Sequence, residues 1–227
     1  MFGQLKEVSK TIIINAGHWD DPHTPEVDDP GASHNHVTEQ VECAKIRDEV
    51  VPLLEHRGYV VHSVPDHLNL RESIDWANEK APSLNAGLAI DIHLNYLSNP
   101  EARGTEAFFG VSKTSEEIAK ALSLNVSEKL QIPNRGAKPD TQTAVGSLGW
   151  IRLTSMWASL VEVGFISNPE DIAAIQGDGG YRKAAVGIAD AVDYLFGMQQ
   201  SAENPLEAYT TMQLISELQL RIKNGTL

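Results

Sequence analysis

Three short stretches put chemically active side chains where an apolar core is expected. In "TIIINAGHWDD", residues 11–21, four residues of strand character run into Asn15, Ala16 and Gly17 and then into His18, an imidazole at the end of a buried segment. In "AIDIHLN", alternation along a strand sends Asp91, His93 and Asn95 to one face and Ile90, Ile92 and Leu94 to the other. In "SLVEVGF", one carboxylate, Glu162, stands between Val161 and Val163. Taken singly, the polar face of "AIDIHLN" equally fits a solvated edge strand, and a lone glutamate such as Glu162 usually faces solvent. Together, two imidazoles from separate strand ends and a carboxylate from a helix start give three N/O ligands to one divalent ion and leave a fourth position to water, which is the donor set of a catalytic zinc site. Glu39 is the best-placed carboxylate, in the first turn of the helix after the His18 loop. Asp20, Asp21, Glu26, Asp28 and Glu42 compete with it on spacing alone. The remaining histidines, His23, His34, His36, His56, His62 and His67, read as solvated, with His34 and His36 nearest to Glu39 in sequence.

Such a site needs a scaffold that gathers strand ends. Apolar strands alternate here with amphipathic helical segments, the pattern of an α/β fold: a single three-layer domain with a mixed, largely parallel central sheet flanked by helices. The strands are residues 11–14, "YVVHSV", "GLAIDIHL", "GTEAFFG" and "ASLVEVGF". Helical periodicity covers about 37–57, with Val41, Ala44, Val50 and Leu54 apolar, Pro52 as a potential kink and Gly58 at its end. Further helices are expected at 70–81, ended near Pro82, and at 114–130, 169–176 and 180–196. Residues 17–36 are too polar for core, and 131–150 lack a period and read as a loop over one face. The catalytic domain is expected over 1–197. Residues 198–206 have linker composition, and 207–227 form a short C-terminal amphipathic helix with Met212, Ile215, Leu218 and Ile222 on one face.

Composition narrows the function classes. The 227 residues carry 18 basic and 31 acidic side chains, a formal net charge of −13, which leaves no phosphate-neutralising surface for nucleic acid. The single cysteine, Cys43, excludes an internal disulfide framework and reads as a small apolar helix residue. The start "MFGQLKEVSK" has no apolar run of signal-peptide length, and no later stretch approaches the roughly 20 apolar residues of a membrane span. The expectation is a chain made in the cytoplasm without a signal peptide and not inserted in a membrane.

The set "INAGHWDD…DPG", "TEQVECAKIRDEVVPLLEHRGYVV", "RESIDWANE", "LAIDIHLNY", "RGTEAFF" and "LVEVGFISNPED" resembles the zinc-dependent N-acetylmuramoyl-L-alanine amidases of bacterial cell-wall hydrolases and phage endolysins. The motifs follow the family's order over roughly residues 10–197. The resemblance implies one zinc ion per chain held by His18, Glu39 and His93, with Glu162 as catalytic acid/base. The interval from Glu39 to Gly58 agrees with the family's glutamate-to-glycine helix and favours Glu39 over Glu42. Asn95 falls near the active site as a candidate to orient substrate. Arg71, Asn78 and Glu106 lie in family-like motifs, either at the substrate or as buttresses of the fold.

Two departures stand out. The family usually shows a small hydroxyl residue where Asp91 stands, and a run of glycines where this chain has Trp19, Asp20 and Asp21. Asp91 could fix the tautomer of His93 as a hydrogen-bond partner, or alter metal affinity and selectivity. The acidic, proline-containing stretch 23–35 implies a differently shaped groove beside the first ligand. The implied reaction is hydrolysis of the amide joining the lactyl carbonyl of N-acetylmuramic acid to L-alanine in peptidoglycan, at the bacterial wall, or the host wall for a phage endolysin. The alternatives are a zinc peptidase or carboxypeptidase acting within the stem peptide and a non-catalytic wall-binding module. For the C-terminal helix the readings are docking on its own domain, self-association or wall targeting.

Overall fold

The computed structural model describes residues 10–18, 29–81 and 87–203, with side chains as far as residue 197. Residues Met1–Ala191 form one compact unit, and a second, Val192–Leu227, begins inside the last described helix.

The first unit is built on a six-stranded sheet in the order β4-β1-β5-β8-β6-β7. Its centre is β1 (Thr11–Ala16), β5 (Leu88–Asn95) and β8 (Trp157–Phe165), rich in Ile, Leu and Val, which pack well on a pleated surface. On β1, Ile12, Ile13 and Ile14 are all fully buried, so both faces of the central strands are covered. Strand β4 (Val60–Ser63) pairs parallel to β1, as β5 does on its other side, and β8 pairs parallel to β5. Strand β6 (Thr105–Phe109) runs antiparallel to β8, and β7 (Asn134–Pro139) runs parallel to β6 at the sheet edge.

Helix α1 (Glu39–His56) links β1 to β4, and α2 (Leu70–Lys80) links β4 to β5. The two connections step in opposite directions across the sheet, which for right-handed crossovers puts the helices on opposite faces. Helix α2 and the short α4 (Gly149–Leu153) cover the face of Ile13, Ala89 and Ala158 through Ile74, Ala77 and Trp150. The direction reversal falls between β1 and β5, the crevice at which open α/β sheets place their ligands. Helix α3 (Lys113–Leu130) packs along β6, β7 and β8, and α5 (Pro169–Gln176) follows β8.

Local chemistry sets the element ends. Helix α2 starts in a reciprocal cap, in which Asn69 accepts from Glu72 N–H and the Glu72 carboxylate accepts from Asn69 N–H. Helix α1 closes with Gly58 N–H donating to Glu55 and Tyr59 N–H to Leu54, and Pro52 is accommodated inside it. It begins two residues later than its periodicity suggests. Val37–Thr38 (β3) instead pair with Ser33–His34 (β2) in a small hairpin, and Thr38 keeps an extended backbone.

Two expectations are corrected. Residues 131–150 are not one loop: they hold β7, a 3-10 turn at Asp140–Gln142 and the start of α4. "NRGAKP" gives little strand signal because Gly, Lys and Pro are poor strand formers, tolerated where only one side of the strand is paired. Helix α6 (Gly180–Glu203) does not stop at 196 but runs through 198–203, where no proline intervenes before Pro205. The expected helix at 207–227 lies outside the described residues. Among the described residues no helix is long and apolar enough to cross a membrane.

Candidate metal centre and active site

The carboxyl ends of β1, β5 and β8 meet the beginning of β6 at one edge of the sheet, and the polar residues gather there. Strand β1 ends where Gly17 N–H donates to Ile92 O at 2.8 Å, and the next residue, His18, adopts a left-handed backbone with φ 71°. That turn brings its ring to 4.9 Å from the His93 ring, centroid to centroid, in an edge-on arrangement. Glu39, the first residue of α1, reaches between them: its Oε2 lies 3.1 Å from His18 Nε2 and its Oε1 lies 2.9 Å from His93 Nδ1. Ligand atoms of His18, Glu39 and His93 all fall within 4.8 Å of one another.

Backbone donors hold the carboxylate in place. Glu39 Oε1 accepts from Leu94 N–H at 3.1 Å and Oε2 from Ala32 N–H at 2.9 Å, while Glu39 N–H donates back to Ala32 O at 2.9 Å. Two glycines make room for this convergence. A Cβ on Gly17 would lie 2.3 Å from the His93 ring. One on Gly31, which has φ +67°, would lie 2.4 Å from the His18 ring and 2.7 Å from Glu39 Oε2.

Each histidine turns its remote nitrogen to a second carboxylate. His18 Nδ1 lies 3.0 Å from Asp29 Oδ2, and His93 Nε2 lies 3.2 Å from Asp91 Oδ2. Asp29 is fixed by accepting from Gly31 N–H, and Asp91 by accepting from the Asn15 side-chain amide at 2.8 Å. Sheet register explains the second arrangement: Asn15 pairs with Asp91 across β1 and β5, so both project from one face.

Register also aligns the acid/base candidate. His93 pairs with Glu162, and Glu162 with Glu106, giving a row His93–Glu162–Glu106 across three strands. Glu106 is buried and fully engaged, accepting from Asn95 at 2.8 Å, from Arg135 Nε at 2.6 Å and from Lys138. Glu162 differs, because its Oε2 is sealed from solvent without a hydrogen-bond partner among the described residues.

These surroundings separate the carboxyl groups electrostatically. Burial alone would raise the Glu39 carboxyl, but hydrogen bonds from His18 and His93 overcome it and hold the group well below the usual carboxylate range. Burial dominates at Glu162, and the negative charges of Glu39, Glu106 and Asp91 add to it against the opposing charge of His93, so its pKa rises to about 8. Burial lowers both imidazoles, yet His18 ends above its ordinary value through Glu39, and His93 well above it through Asp91 and Glu39.

A cavity of about 140 Å³ opens on the α2 side of the histidines, lined by Asn15, Asp91, His93, Leu70, Trp150 and Leu160 among others. Of the expected site residues, His18, Glu39, His93, Glu162, Asp91, Asn95 and Glu106 come together here. Arg71 does not: its side chain is 72% exposed on α2 and pairs with Asp75, because that helix turns Ser73, Ile74 and Ala77 inward. Asn78 braces the fold, donating to Leu153 O and accepting from Ser155 N–H. Glu42 is engaged with Lys45 and Tyr181, away from the cluster. Asp20, Asp21, Glu26 and Asp28 lie outside the described residues. Sequence reasoning missed Asp29, Asn15, Arg135 and Lys138. The turn-forming "DDPG" disguises Asp29, and Arg135 and Lys138 sit in the unrecognised edge strand.

A family model described as N-acetylmuramoyl-L-alanine amidase matches residues 12–194. The probable cell wall amidase LytH of Staphylococcus saprophyticus is 28% identical over 165 residues, 71% of this chain and 50% of that protein. The endolysin of Bacillus phage SPP1 is 27% identical over 203 residues, 86% of this chain and 69% of that protein. The chain thus spans about half the length of the staphylococcal relative. Among solved structures, the catalytic domain of CwlV, an N-acetylmuramoyl-L-alanine amidase from Bacillus (Paenibacillus) polymyxa var. colistinus, shares the fold. Its TM-score is 0.68 at 23% identity, covering 81% of this chain and 96% of that domain. With a match that begins in β1, ends in α6 and takes in every residue of the histidine–glutamate cluster and Glu162, the chain belongs to the N-acetylmuramoyl-L-alanine amidase family.

Proposed function

We propose that this protein hydrolyses the amide bond between N-acetylmuramic acid and L-alanine in peptidoglycan, with one zinc ion held by His18, Glu39 and His93 and with Glu162 as acid/base. The observation that carries this reading is the convergence of two imidazoles and a carboxylate near a buried carboxyl oxygen of Glu162 that has no hydrogen-bond partner among the described residues. The donors fit zinc: two nitrogens and one oxygen, with each histidine backed by a carboxylate on its far side. A zinc ion held by these residues would acidify the attacking water and polarise the amide carbonyl as a Lewis acid.

The chain's own residues supply the rest. Glu162 takes the proton of the attacking water and delivers it to the leaving amine nitrogen. Burial favours the protonated carboxyl that the second step needs, and the positive charge of a bound cation favours the carboxylate that the first step needs, so the two steps draw on opposing features of one site. Glu106 is paired with Arg135 and Lys138 and holds the Asn95 amide, leaving Asn95 to orient the substrate at the mouth of β5. Residues 1–197 are the catalytic part in this reading. The protein acts at the cell wall as a phage-type endolysin or wall hydrolase, and relatives of both kinds support that role.

The test is the chemistry of the ends released from purified peptidoglycan by zinc-loaded protein, against a chelated control. New N-terminal L-alanine without new reducing sugar ends is the expected result. Termini deeper in the stem peptide would move the reading to a zinc peptidase, and metal-independent binding without release would make this a wall-binding module.

A further inference from the structure

We infer that Asp91 is a positioning residue that accepts a hydrogen bond from His93 Nε2–H, commits His93 Nδ1 to the metal, and so sets how tightly the centre holds it. This rests on the metal centre proposed for His18, Glu39 and His93. The geometry is specific. Asp91 is 2% exposed, its Oδ1 accepts from the Asn15 amide at 2.8 Å, and its Oδ2 lies 3.2 Å from His93 Nε2. On the opposite side of the ring, Nδ1 faces Glu39 Oε1 at 2.9 Å.

A neutral imidazole carries one proton and one in-plane lone pair. With the proton on Nε2, it is donated to Asp91, and the Nδ1 lone pair points where Glu39 and His18 converge. The other tautomer would set the Nε2 lone pair against a buried carboxylate oxygen, an uncompensated repulsion in a low-dielectric site. Asp91 therefore selects the tautomer. Asn15 keeps it from turning, since sheet register fixes their pairing. His18 uses the reverse arrangement, with Nε2 toward Glu39 and Nδ1 toward Asp29. The two supporting carboxylates are unequal: the Asp29 side chain is 36% exposed on a loop and the Asp91 side chain 3% exposed on a central strand. Asp91 is the better shielded from water, although the Asp29 contact, at 3.0 Å against 3.2 Å, is the shorter.

The experiment measures zinc dissociation constants by chelator competition for the full chain, Asp91→Asn and Asp91→Ser. Melting of the chelated proteins serves as the fold control, and nitrogen–proton NMR of the zinc-loaded histidines gives the tautomer. Asp91→Ser is expected to weaken zinc about 10–100-fold, because water entering the neighbouring cavity replaces the carboxylate poorly. Asp91→Asn keeps the shape and an acceptor but loses the charge, so it falls between Ser and wild type and carries the test if the serine variant does not fold. Wild-type NMR should show His93 metallated at Nδ1 with a retained Nε2–H. Wild-type affinity in both variants, or metal on His93 Nε2, would overturn the assignment. If wild type itself takes up no zinc, the metal centre fails and Asp91 with it. If wild type binds zinc and releases L-alanine ends while the variants bind equally tightly, the Asp91 assignment fails alone.

Discussion

Glu162 occupies the middle of a cross-strand row of titratable side chains, and its unpartnered oxygen makes it costly to ionise. Replacing it with glutamine is expected to leave zinc content intact and to reduce turnover about 10²–10⁴-fold, as for loss of a positioned general base; metal analysis beside a rate measurement separates the two effects. The same substitution should stabilise the chelated protein. Between the ordinary carboxyl pKa of 4.5 and about 8, the folded state holds a proton on Glu162 that the unfolded state has released. Unfolding free energy therefore falls as pH rises through that window. Glutamine removes the fall, so the melting advantage of Glu162→Gln should widen from about pH 5 to 8 and then level off, and a gap independent of pH would refute this account. At this scale the sequence is legible where a residue breaks a pattern: His18, His93 and Glu162 interrupt apolar runs. It is illegible where a functional residue has a commonplace local excuse, as Asp29 does in a turn and Asn15 at a strand end.

Element positions follow from chemistry that is partly written in the chain. Strands dense in β-branched residues and helices with clear caps announce themselves, so β1, β5, β8 and α2 fall close to where periodicity puts them. Strand β7 does not, since edge pairing asks little of its side chains and register, which cannot be read locally, supplies its place. The segment after β7 shows how such a region is held. Asp140 is buried and accepts from Leu148 N–H at 3.2 Å and from Arg152, tying the 3-10 turn to α4 and its core residue Trp150. The Arg152 hydrogen bond holds the Asp140 carboxyl below its ordinary value against its burial. With the folded pKa depressed, the unfolded state binds more protons at low pH, so this stabilisation is complete above about pH 4 and is lost as pH falls through the folded value. Asp140→Asn should lower the melting temperature at neutral pH and flatten its decline below pH 4; an unchanged acid limb would show that the clasp contributes nothing.

The whole molecule carries a net charge of −13, and a substrate built of stem peptides presents their terminal carboxylates to it. Like charges at long range slow encounter, and salt shortens their reach, from a Debye length of about 30 Å at 0.01 M to about 8 Å at 0.15 M. Hydrolysis of intact walls should therefore speed up with ionic strength over that range, whereas turnover of a small uncharged muramoyl-peptide analogue should not; equal salt responses would place the limiting step elsewhere. One last consequence concerns genetics. Gly17 and Gly31 donate nothing to a metal or a substrate, yet a single methyl on either would occupy space already filled by the His93 or His18 ring. In a random-mutation screen scored by loss of the proposed amidase activity, these two silent positions would rank with the histidines themselves. A map of essential sites drawn from such a screen would outline the shape of the centre as faithfully as its chemistry.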